Sequence, residues 1–244
     1  METNIIKKEK TLIIGAGEVG TSLANALKDT YEVFVRDRST LVKGKFKVIH
    51  ICYPYSDKFI DITKSYIKEY QPRLVIVHST VKPGTTRKLG YLAVHSPING
   101  KHPNLEQSIR TFTKVIGGVN AFKVCEAVQF FGRANIRAMV FSSPEASELA
   151  KICCTTQYGW YIAVMKEIAR VCNEYNVPFH EVYTEWNTMY NEGYGLMKDS
   201  KYFRPNLAPM DGGIGGHCVI NNLELLDDFF TKFLKGRNEI YKES

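Results

Sequence analysis

A strand, a glycine turn and a helix follow one another in the run TLIIGAGEVGTSLANAL, and this unit constrains the fold more than any other part of the sequence. Gly15, Gly17 and Gly20 form the pattern G-x-G-x-x-G, and Asp37 ends the next apolar run, YEVFVRD. The same pattern between a strand and a helix, with an acidic residue about 20 positions later, is typical of a turn that binds a dinucleotide. The alternative is a strand–turn–helix corner with a purely structural role.

Short β-branched runs alternate with helical stretches over the rest of the first half. The predicted strands lie in KVIHICYP, PRLVIVHST, LGYLAVHSP, TKVIGG and IRAMVFSS. Between them, DKFIDITKSYIKEY and residues 121–132 carry apolar positions at helical spacing. Strands that alternate with helices predict βαβ units with right-handed crossovers. The expected fold class is therefore α/β, a Rossmann-type doubly wound parallel sheet.

After residue 142 the sequence becomes helical in character. Ser143 suits an N-cap, Pro144 suits the first helical position, and Glu145 lies in the first turn. The helix that they start should run for about 30 residues, or about 45 Å. Two more helices are predicted within PFHEVYTEWNTMYNEG and NLELLDDFFTKFLKGRNEIY. We predict an α/β domain over residues 1–142 and an all-helical domain over residues 143–244.

Charge and cysteine content limit the classes of partner. The formal net charge of +7 is spread along the 244 residues, which favours anionic small molecules over a dedicated nucleic-acid surface. No apolar run is long enough to span a membrane, and no signal-peptide core follows the N-terminus. The six cysteines form no CxxC pair, so neither a disulfide framework nor a metal site is expected. A reducing cytoplasm fits this pattern.

The predicted cofactor site surrounds the glycine turn. Gly15 allows the tight turn, Gly17 lets a pyrophosphate approach the backbone, and Gly20 lets the helix pack against the sheet. Asp37 would accept hydrogen bonds from ribose hydroxyls and repel a 2′-phosphate, which favours NAD over NADP, although Arg36 and Arg38 flank it. The other candidate cofactor residues lie beside the turn or where later strands end: Glu18, Val19, Arg38, Tyr53, Pro54, Ser79 and Thr80.

Four motifs occur in an order that resembles the UDP-glucose/GDP-mannose dehydrogenase family, and especially its UDP-N-acetylmannosamine dehydrogenase branch. They are GAGEVG at 15–20, STVKPGTT at 79–86, ELAK at 148–151 and GIGGHC at 213–218. The resemblance implies oxidation of a nucleotide-sugar primary alcohol to a carboxylate in two NAD-dependent steps. It also implies a Rossmann domain, a helical dimerisation region and then a second α/β domain, and the chain ends where that last domain would begin.

The resemblance also assigns chemical roles to residues of the second half. Cys218 matches the family's nucleophile, which forms a thiohemiacetal and then a thioester. Lys151 matches the lysine that stabilises the developing oxyanion and contacts the substrate. Gly215, Gly216 and His217 would line the substrate beside the cysteine. Considered from the residues alone, Cys218 could instead be a small buried side chain, and Lys151 a lysine on the surface of a helix.

Three positions depart from the family's pattern. Thr155 stands where the family has an asparagine, Asn222 where it has an aspartate, and Ile98 where it has a glutamate, although this last alignment is less certain. Two carboxylates that could take a proton are therefore missing.

These departures leave three hypotheses open. The first is a nucleotide-sugar dehydrogenase that uses Cys218, Lys151, Thr155 and Asn222, and the second is an NAD-dependent enzyme that makes one hydride transfer on a smaller substrate. The third is a non-catalytic NAD-binding protein. In each case we expect a homodimer, because a helix over residues 144–175 would otherwise expose apolar surface.

Overall fold

The computed structural model describes residues 8–214 and 217–243, excluding the side chains of His217, Cys218 and Glu243. The chain forms two compact units, of which the first ends at Lys151 and the second begins at Ile152. The domain boundary at residue 142 remains a prediction.

The first unit contains a seven-stranded sheet in the order β2-β1-β3-β4-β5-β6-β7. All neighbouring strands are parallel except β5 and β6, which are antiparallel. The predicted fold class is therefore confirmed, with one antiparallel pair. The strands are β1 (Lys10–Ile14), β2 (Glu32–Arg36), β3 (Val48–Ile51), β4 (Leu74–Val77), β5 (Ala93–His95), β6 (Lys114–Gly118) and β7 (Ala138–Val140).

Helices cover both faces of this sheet, and the alternation of side chains along each strand explains why both faces are apolar. On β1, Ile13 packs into one buried cluster with Phe130 and Phe131, whereas Leu12 packs into another with Phe59. The helices of this unit are α1 (Glu18–Leu27), α2 (Phe59–Tyr70), α3 (Thr85–Leu89), α4 (Leu105–Thr111) and α5 (Ala121–Arg133), followed by the start of α6 (Pro144–Glu174).

Helix α6 begins where the sequence predicts and has 31 residues. The amide of Ala146 donates to Ser143 Oγ over 3.1 Å, so Ser143 is the N-cap. The second unit contains the rest of α6, a π-helical turn (His180–Glu185), α7 (Trp186–Leu196), a 3₁₀ turn (Ser200–Tyr202), α8 (His217–Leu223) and α9 (Phe229–Glu243). Its core includes Ile162, Met165, Tyr183, Val219 and Leu234.

The last predicted helix was placed too early. A single helix was expected from Asn222 onward, but Asn222 and Leu223 end α8, and α9 begins at Phe229. Asp228 explains the new start, because its side chain accepts a hydrogen bond of 2.9 Å from the amide of Phe230. Such a bond satisfies one of the free N–H groups at a helix N-terminus.

Candidate functional site

The glycine turn lies where three strands end. Gly15 N donates to Arg36 O at the end of β2 over 2.9 Å, and Cys52 N, just after β3, donates to Ile14 O over 2.8 Å. Strand β1 is flanked by β2 on one side and β3 on the other. The chain order reverses at this point, which is where open α/β sheets bind ligands.

The three glycines meet different surroundings. Gly15 has φ +109°, and a Cβ there would lie 2.8 Å from Tyr53 N. A Cβ on Gly20 would lie 1.9 Å from Gly15 O, so the close approach of α1 to the turn requires glycine. A Cβ on Gly17 would have no atom within 4 Å. The backbone at Gly17, just before the free N–H groups of α1, therefore faces open space that can admit an anion.

The charged side chains at the end of β2 differ in their contacts with the rest of the protein. Arg36 donates to Glu69 over 2.5 Å and to the hydroxyl of Tyr70, and its guanidinium lies 4.9 Å from the ring centre of Tyr66. Asp37 and Arg38 are exposed. Of the two arginines that flank Asp37, Arg36 is thus engaged with α2, which the sequence alone did not show.

The candidate residues after β3 and β4 are joined to each other. Ser79 Oγ donates to Tyr53 O over 2.6 Å, and the Tyr53 hydroxyl lies 2.5 Å from Thr63 Oγ1. Burial raises the pKa of Tyr53, so its hydroxyl stays protonated. Next to Tyr53, Pro54 is exposed, and next to Ser79, Thr80 is half-buried. On α1, Val19 packs against the core. The structure brings the turn, Tyr53 and Ser79 to one edge of the sheet.

A buried polar network under this edge was missed from the sequence. His50 Nδ1 lies 2.9 Å from His78 Nε2, and His78 Nδ1 lies 2.7 Å from Ser96 O. Lys114 Nζ donates to Ser96 O over 2.8 Å and to Pro97 O over 2.7 Å. His78 therefore carries its proton on Nδ1 and accepts from His50 Nδ1, and His50 Nε2 is buried with no partner among the described residues.

Burial sets the charge state of this network. It lowers the pKa of His50 to about 3 and that of His78 well below its usual range, with Lys114 adding to both shifts. It also lowers the pKa of Lys114 to about 7. The histidines are therefore neutral at pH 7, while Lys114 is partly protonated.

His95 connects the start of α6 to the end of β4. Its Nδ1 lies 2.8 Å from Ser147 Oγ and its Nε2 lies 3.2 Å from Ser79 O. Burial lowers the pKa of His95 to about 3, so the ring has one N–H. Because a carbonyl oxygen can only accept, His95 donates from Nε2 to Ser79 O. The Ser147 hydroxyl has one proton, which it shares between His95 Nδ1 and Pro144 O, 2.9 Å away.

The ELAK segment lies in the first turns of α6. Glu148 is fully buried, and its carboxylate accepts from Gly84 N over 2.6 Å and from Thr86 N over 2.8 Å. Lys151 Nζ donates to Asn99 Oδ1 over 3.3 Å. Ile98, beside Asn99, is 8% exposed and packs into the core, so it offers no group that could activate water.

The second unit brings Thr155 and Asn222 together. Asn222 Nδ2 donates to Thr155 Oγ1 over 3.3 Å, and Thr155 Oγ1 donates to Ile152 O over 3.0 Å. Asn222 is 8% exposed. Two residues that are 67 positions apart in sequence thus form one polar contact between α6 and α8.

The cysteine that ends the GIGGHC motif belongs to a helix. The backbone of Cys218 is the second residue of α8, because the helix begins at His217. Before it, Ile214 N donates to Asn238 Oδ1 over 2.6 Å, which ties the segment to α9. Gly215 and Gly216, and the side chains of His217 and Cys218, lie outside the described residues, so their predicted contacts with substrate stay predictions.

Over residues 8–214 and 217–243, no group of three His, Cys, Asp or Glu side chains is placed to hold a metal ion. None of the helices in that part of the chain is long and apolar enough to cross a membrane. Cys52, Cys125, Cys153, Cys154 and Cys172 are free thiols.

Comparison with known proteins agrees with the four motifs. No family model matches the chain. The UDP-N-acetyl-D-mannosamine dehydrogenase of Pyrococcus horikoshii is 24% identical over an alignment of 168 residues, and the match covers 63% of this chain. The chain is similar to a nucleotide-sugar dehydrogenase. The resemblance found in the sequence is thereby confirmed, and the match spans 37% of that relative's length.

Solved structures establish the fold. The UDP-D-ManNAc dehydrogenase of Pyrococcus horikoshii has a TM-score of 0.77 at 18% identity, covering 94% of this chain and 68% of that one. The 3-hydroxyisobutyrate dehydrogenase of Mycobacterium tuberculosis has a TM-score of 0.73 at 12% identity. That match covers 97% of this chain and 94% of the other, so the two chains are alike over almost their full lengths.

Proposed function

We propose that the chain is an NAD-dependent oxidoreductase that acts on a CH–OH group of a nucleotide sugar. One observation carries this proposal: the open backbone at Gly17, where three strands end and α1 begins. A diphosphate fits such a place because unpaired N–H groups at a helix N-terminus attract anions. NAD, when bound, would supply the hydride acceptor.

The cofactor would be held by residues at the edge of the sheet. Gly15, Gly17, Glu18, Val19 and Gly20 would form the turn under the diphosphate. Asp37 would bind the ribose hydroxyls, with Arg38 beside it. The side of the cofactor site that faces β4 would be lined by Tyr53, Pro54, Ser79 and Thr80. The hydrogen bond between Ser79 and Tyr53 O supports this assignment, because it joins two of the proposed segments.

The substrate would be held by the motifs of the second half. Lys151 would stabilise negative charge on the reacting oxygen, since a fixed cation lowers the energy of a developing oxyanion. Gly215, Gly216 and His217 would contact the sugar nucleotide. Cys218 would attack the aldehyde after the first oxidation. The name of the Pyrococcus horikoshii relative makes UDP-N-acetyl-D-mannosamine the first substrate to test.

A second candidate is a single oxidation on a smaller substrate. Thr155, Asn222 and Ile98 provide no carboxylate to activate water, so hydrolysis of a thioester would be slow. The nearly full-length match to 3-hydroxyisobutyrate dehydrogenase favours this candidate, because a chain of this extent forms a complete dehydrogenase there.

The assembly would be a homodimer built along α6. Its second part exposes four side chains that recur at helical spacing and so share one face: Tyr158, Tyr161, Val164 and Val171. Tyr175, the residue that follows α6, is also exposed. We place the protein in a reducing cytoplasm, because all five described cysteines are free thiols. Light scattering at micromolar concentration tests the dimer, and a monomer would contradict it.

The function is tested by calorimetry and mass spectrometry on the whole chain. NAD should bind more tightly than NADP. Incubation with NAD and UDP-N-acetyl-D-mannosamine should produce NADH and a covalent adduct on Cys218 that accumulates. NADH formation only with a small hydroxy acid would favour the second candidate. Binding of NAD without NADH formation from any alcohol would favour a non-catalytic binding protein.

A further inference from the structure

Glu148 is the only acidic side chain among the described residues that is fully buried. A buried carboxylate is stable only when its oxygens are hydrogen-bonded. Here both oxygens accept from backbone amides, those of Gly84 and Thr86, which are 64 and 62 residues away in sequence. The carboxylate therefore contributes to the placement of a distant segment of backbone.

That segment is the STVKPGTT loop, residues 79–86. Its C-terminal end runs into α3, and the N-cap residue of this helix provides no side-chain cap. Gly84 precedes α3 with φ +87°, and no side chain at this N-cap position bonds to the helix. The first N–H groups of a helix need acceptors. Glu148 satisfies two of them, so it acts as the cap of α3 from another helix.

The near end of the same loop is anchored to the same turn of α6. The Ser147 hydroxyl is hydrogen-bonded to His95 Nδ1, and His95 donates from Nε2 to the carbonyl of Ser79. Ser147 and Glu148 thus hold the loop at both ends. Lys151 follows Glu148 by three residues, which places it on the same face of α6.

We propose that Glu148 is a positioning residue that fixes the loop of residues 79–86, and with it Ser79 and Thr80, relative to the helix turn that carries Lys151. This proposal rests on the proposed function, since it assigns that loop to the cofactor. The part that Glu148 plays is specific to a carboxylate. A glutamine has one acceptor oxygen, and its NH₂ group cannot accept from an amide.

The test compares Glu148→Gln with Glu145→Gln. Glu145 lies on the same helix and pairs with Arg87 of α3 through two contacts of 2.6 and 3.0 Å, but Arg87 is exposed. We measure NAD affinity by calorimetry. Hydrogen–deuterium exchange reports on residues 79–89, with α5 as the internal reference, because exchange detects local opening.

Glu148→Gln should weaken NAD binding at least tenfold and speed exchange in residues 79–89, while α5 stays protected and Glu145→Gln matches the unsubstituted protein. Unchanged exchange in residues 79–89 would overturn the anchoring. Faster exchange with unchanged NAD affinity would overturn the link to the cofactor. If the unsubstituted protein itself does not bind NAD, the proposed function fails, and the exchange data alone still decide whether Glu148 anchors the loop.

Glu148→Asp covers the case in which Glu148→Gln does not fold. It keeps the charge but is one methylene shorter, so it cannot reach both amides, and its effects should have the same direction. If both variants unfold while Glu145→Gln folds, Glu148 supports the whole unit rather than one loop, and the positioning role is overturned.

Discussion

Asn222 Nδ2 lies 3.3 Å from Thr155 Oγ1, whose own proton is directed at Ile152 O, 3.0 Å away. The hydroxyl has a single proton, so it donates to the helix carbonyl and accepts from Asn222. The two positions at which the second half departs from the family's pattern therefore form one neutral, hydrogen-bonded pair. A substitution at either position therefore changes the hydrogen bonding of the other residue.

The first prediction introduces at this pair the residues found in the family that the sequence resembles. The double variant Thr155→Asn, Asn222→Asp should release carboxylate product faster from the proposed adduct on Cys218. A carboxylate can take a proton from water whereas an amide cannot, and a general base is worth about 10²–10⁴-fold. Time-resolved mass spectrometry of the adduct gives the rate.

The single variants serve as controls for that prediction. Asn222→Asp alone places a carboxylate beside a hydroxyl that must then give up its bond to Ile152. The effects of the two substitutions should therefore be non-additive, as expected for residues in contact. Equal hydrolysis rates in all four proteins would show that the pair takes no part in product release.

The second prediction separates the last two glycines of the turn, Gly17 and Gly20, by their roles. Gly17→Ala should cost less than about 1 kcal/mol of stability, because Gly17 is an N-cap and its Cβ would meet no atom within 4 Å. It should nevertheless weaken NAD binding at least tenfold. Gly20→Ala should cost about 3 kcal/mol or more, because its Cβ would lie 1.9 Å from Gly15 O. Urea denaturation measures the stability of each variant, and calorimetry measures its affinity for NAD. If Gly17→Ala binds NAD as tightly as the unsubstituted protein does, the turn is not part of the cofactor site.

The third prediction concerns the choice between NAD and NADP. Asp37→Ser should lower the preference for NAD about tenfold, or about 1.4 kcal/mol, because the repulsion of a 2′-phosphate is lost. Arg38→Leu should act in the opposite direction and weaken NADP binding, because a cation beside the 2′-phosphate is lost. Arg36→Leu is the matched control and should leave the preference unchanged, since Arg36 is bound to Glu69 and Tyr70. A larger shift from Arg36→Leu than from Arg38→Leu would contradict the arrangement at the end of β2.

Local sequence signals predicted those parts of the structure that depend on short stretches of chain. The strand–turn–helix unit and the N-cap at Ser143 each follow from a few adjacent residues. The start of α9 could also have been found, because Asp228 is a typical N-cap residue.

The buried network could not be predicted in the same way. His50 and His78 lie in apolar runs 28 residues apart, and their contact requires that β3 pairs with β4. The pairing of Glu148 with the loop spans more than 60 residues. Alternating strands and helices predict a sheet, but the order and register of its strands decide which polar side chains meet. A histidine inside an otherwise apolar strand was the available signal.

The fourth prediction is a loss of stability in acid. Burial lowers the pKa values of His50 and His95 from the usual 6.5 to about 3, and that of His78 in the same direction. Between pH 6.5 and 3 the unfolded chain therefore binds protons that the folded chain does not. The free energy of unfolding should fall as the pH falls, by up to about 1.4 kcal/mol per pH unit for each histidine. In His95→Asn this slope should be smaller, and an unchanged slope would show that His95 is not buried in its neutral form.

The fifth prediction concerns Lys114 on the alkaline side. Burial lowers its pKa from 10.5 to about 7, so between these values the unfolded chain holds a proton that the folded chain lacks. The free energy of unfolding should therefore rise with pH from 7 to 10, by up to about 1.4 kcal/mol per pH unit from this group. Urea denaturation at several pH values measures the slope.

Two lysine variants isolate the contribution of Lys114 to that slope. Lys114→Met removes the titrating group, although it leaves Ser96 O and Pro97 O without their donor and so lowers stability at every pH. Its slope between pH 7 and 10 should nevertheless be smaller than that of the unsubstituted protein. Lys88→Met, at an exposed position on α3, should keep the original slope. If Lys114→Met and Lys88→Met show the same slope, Lys114 keeps its ordinary charge in the folded protein, and the buried network contains a permanent cation.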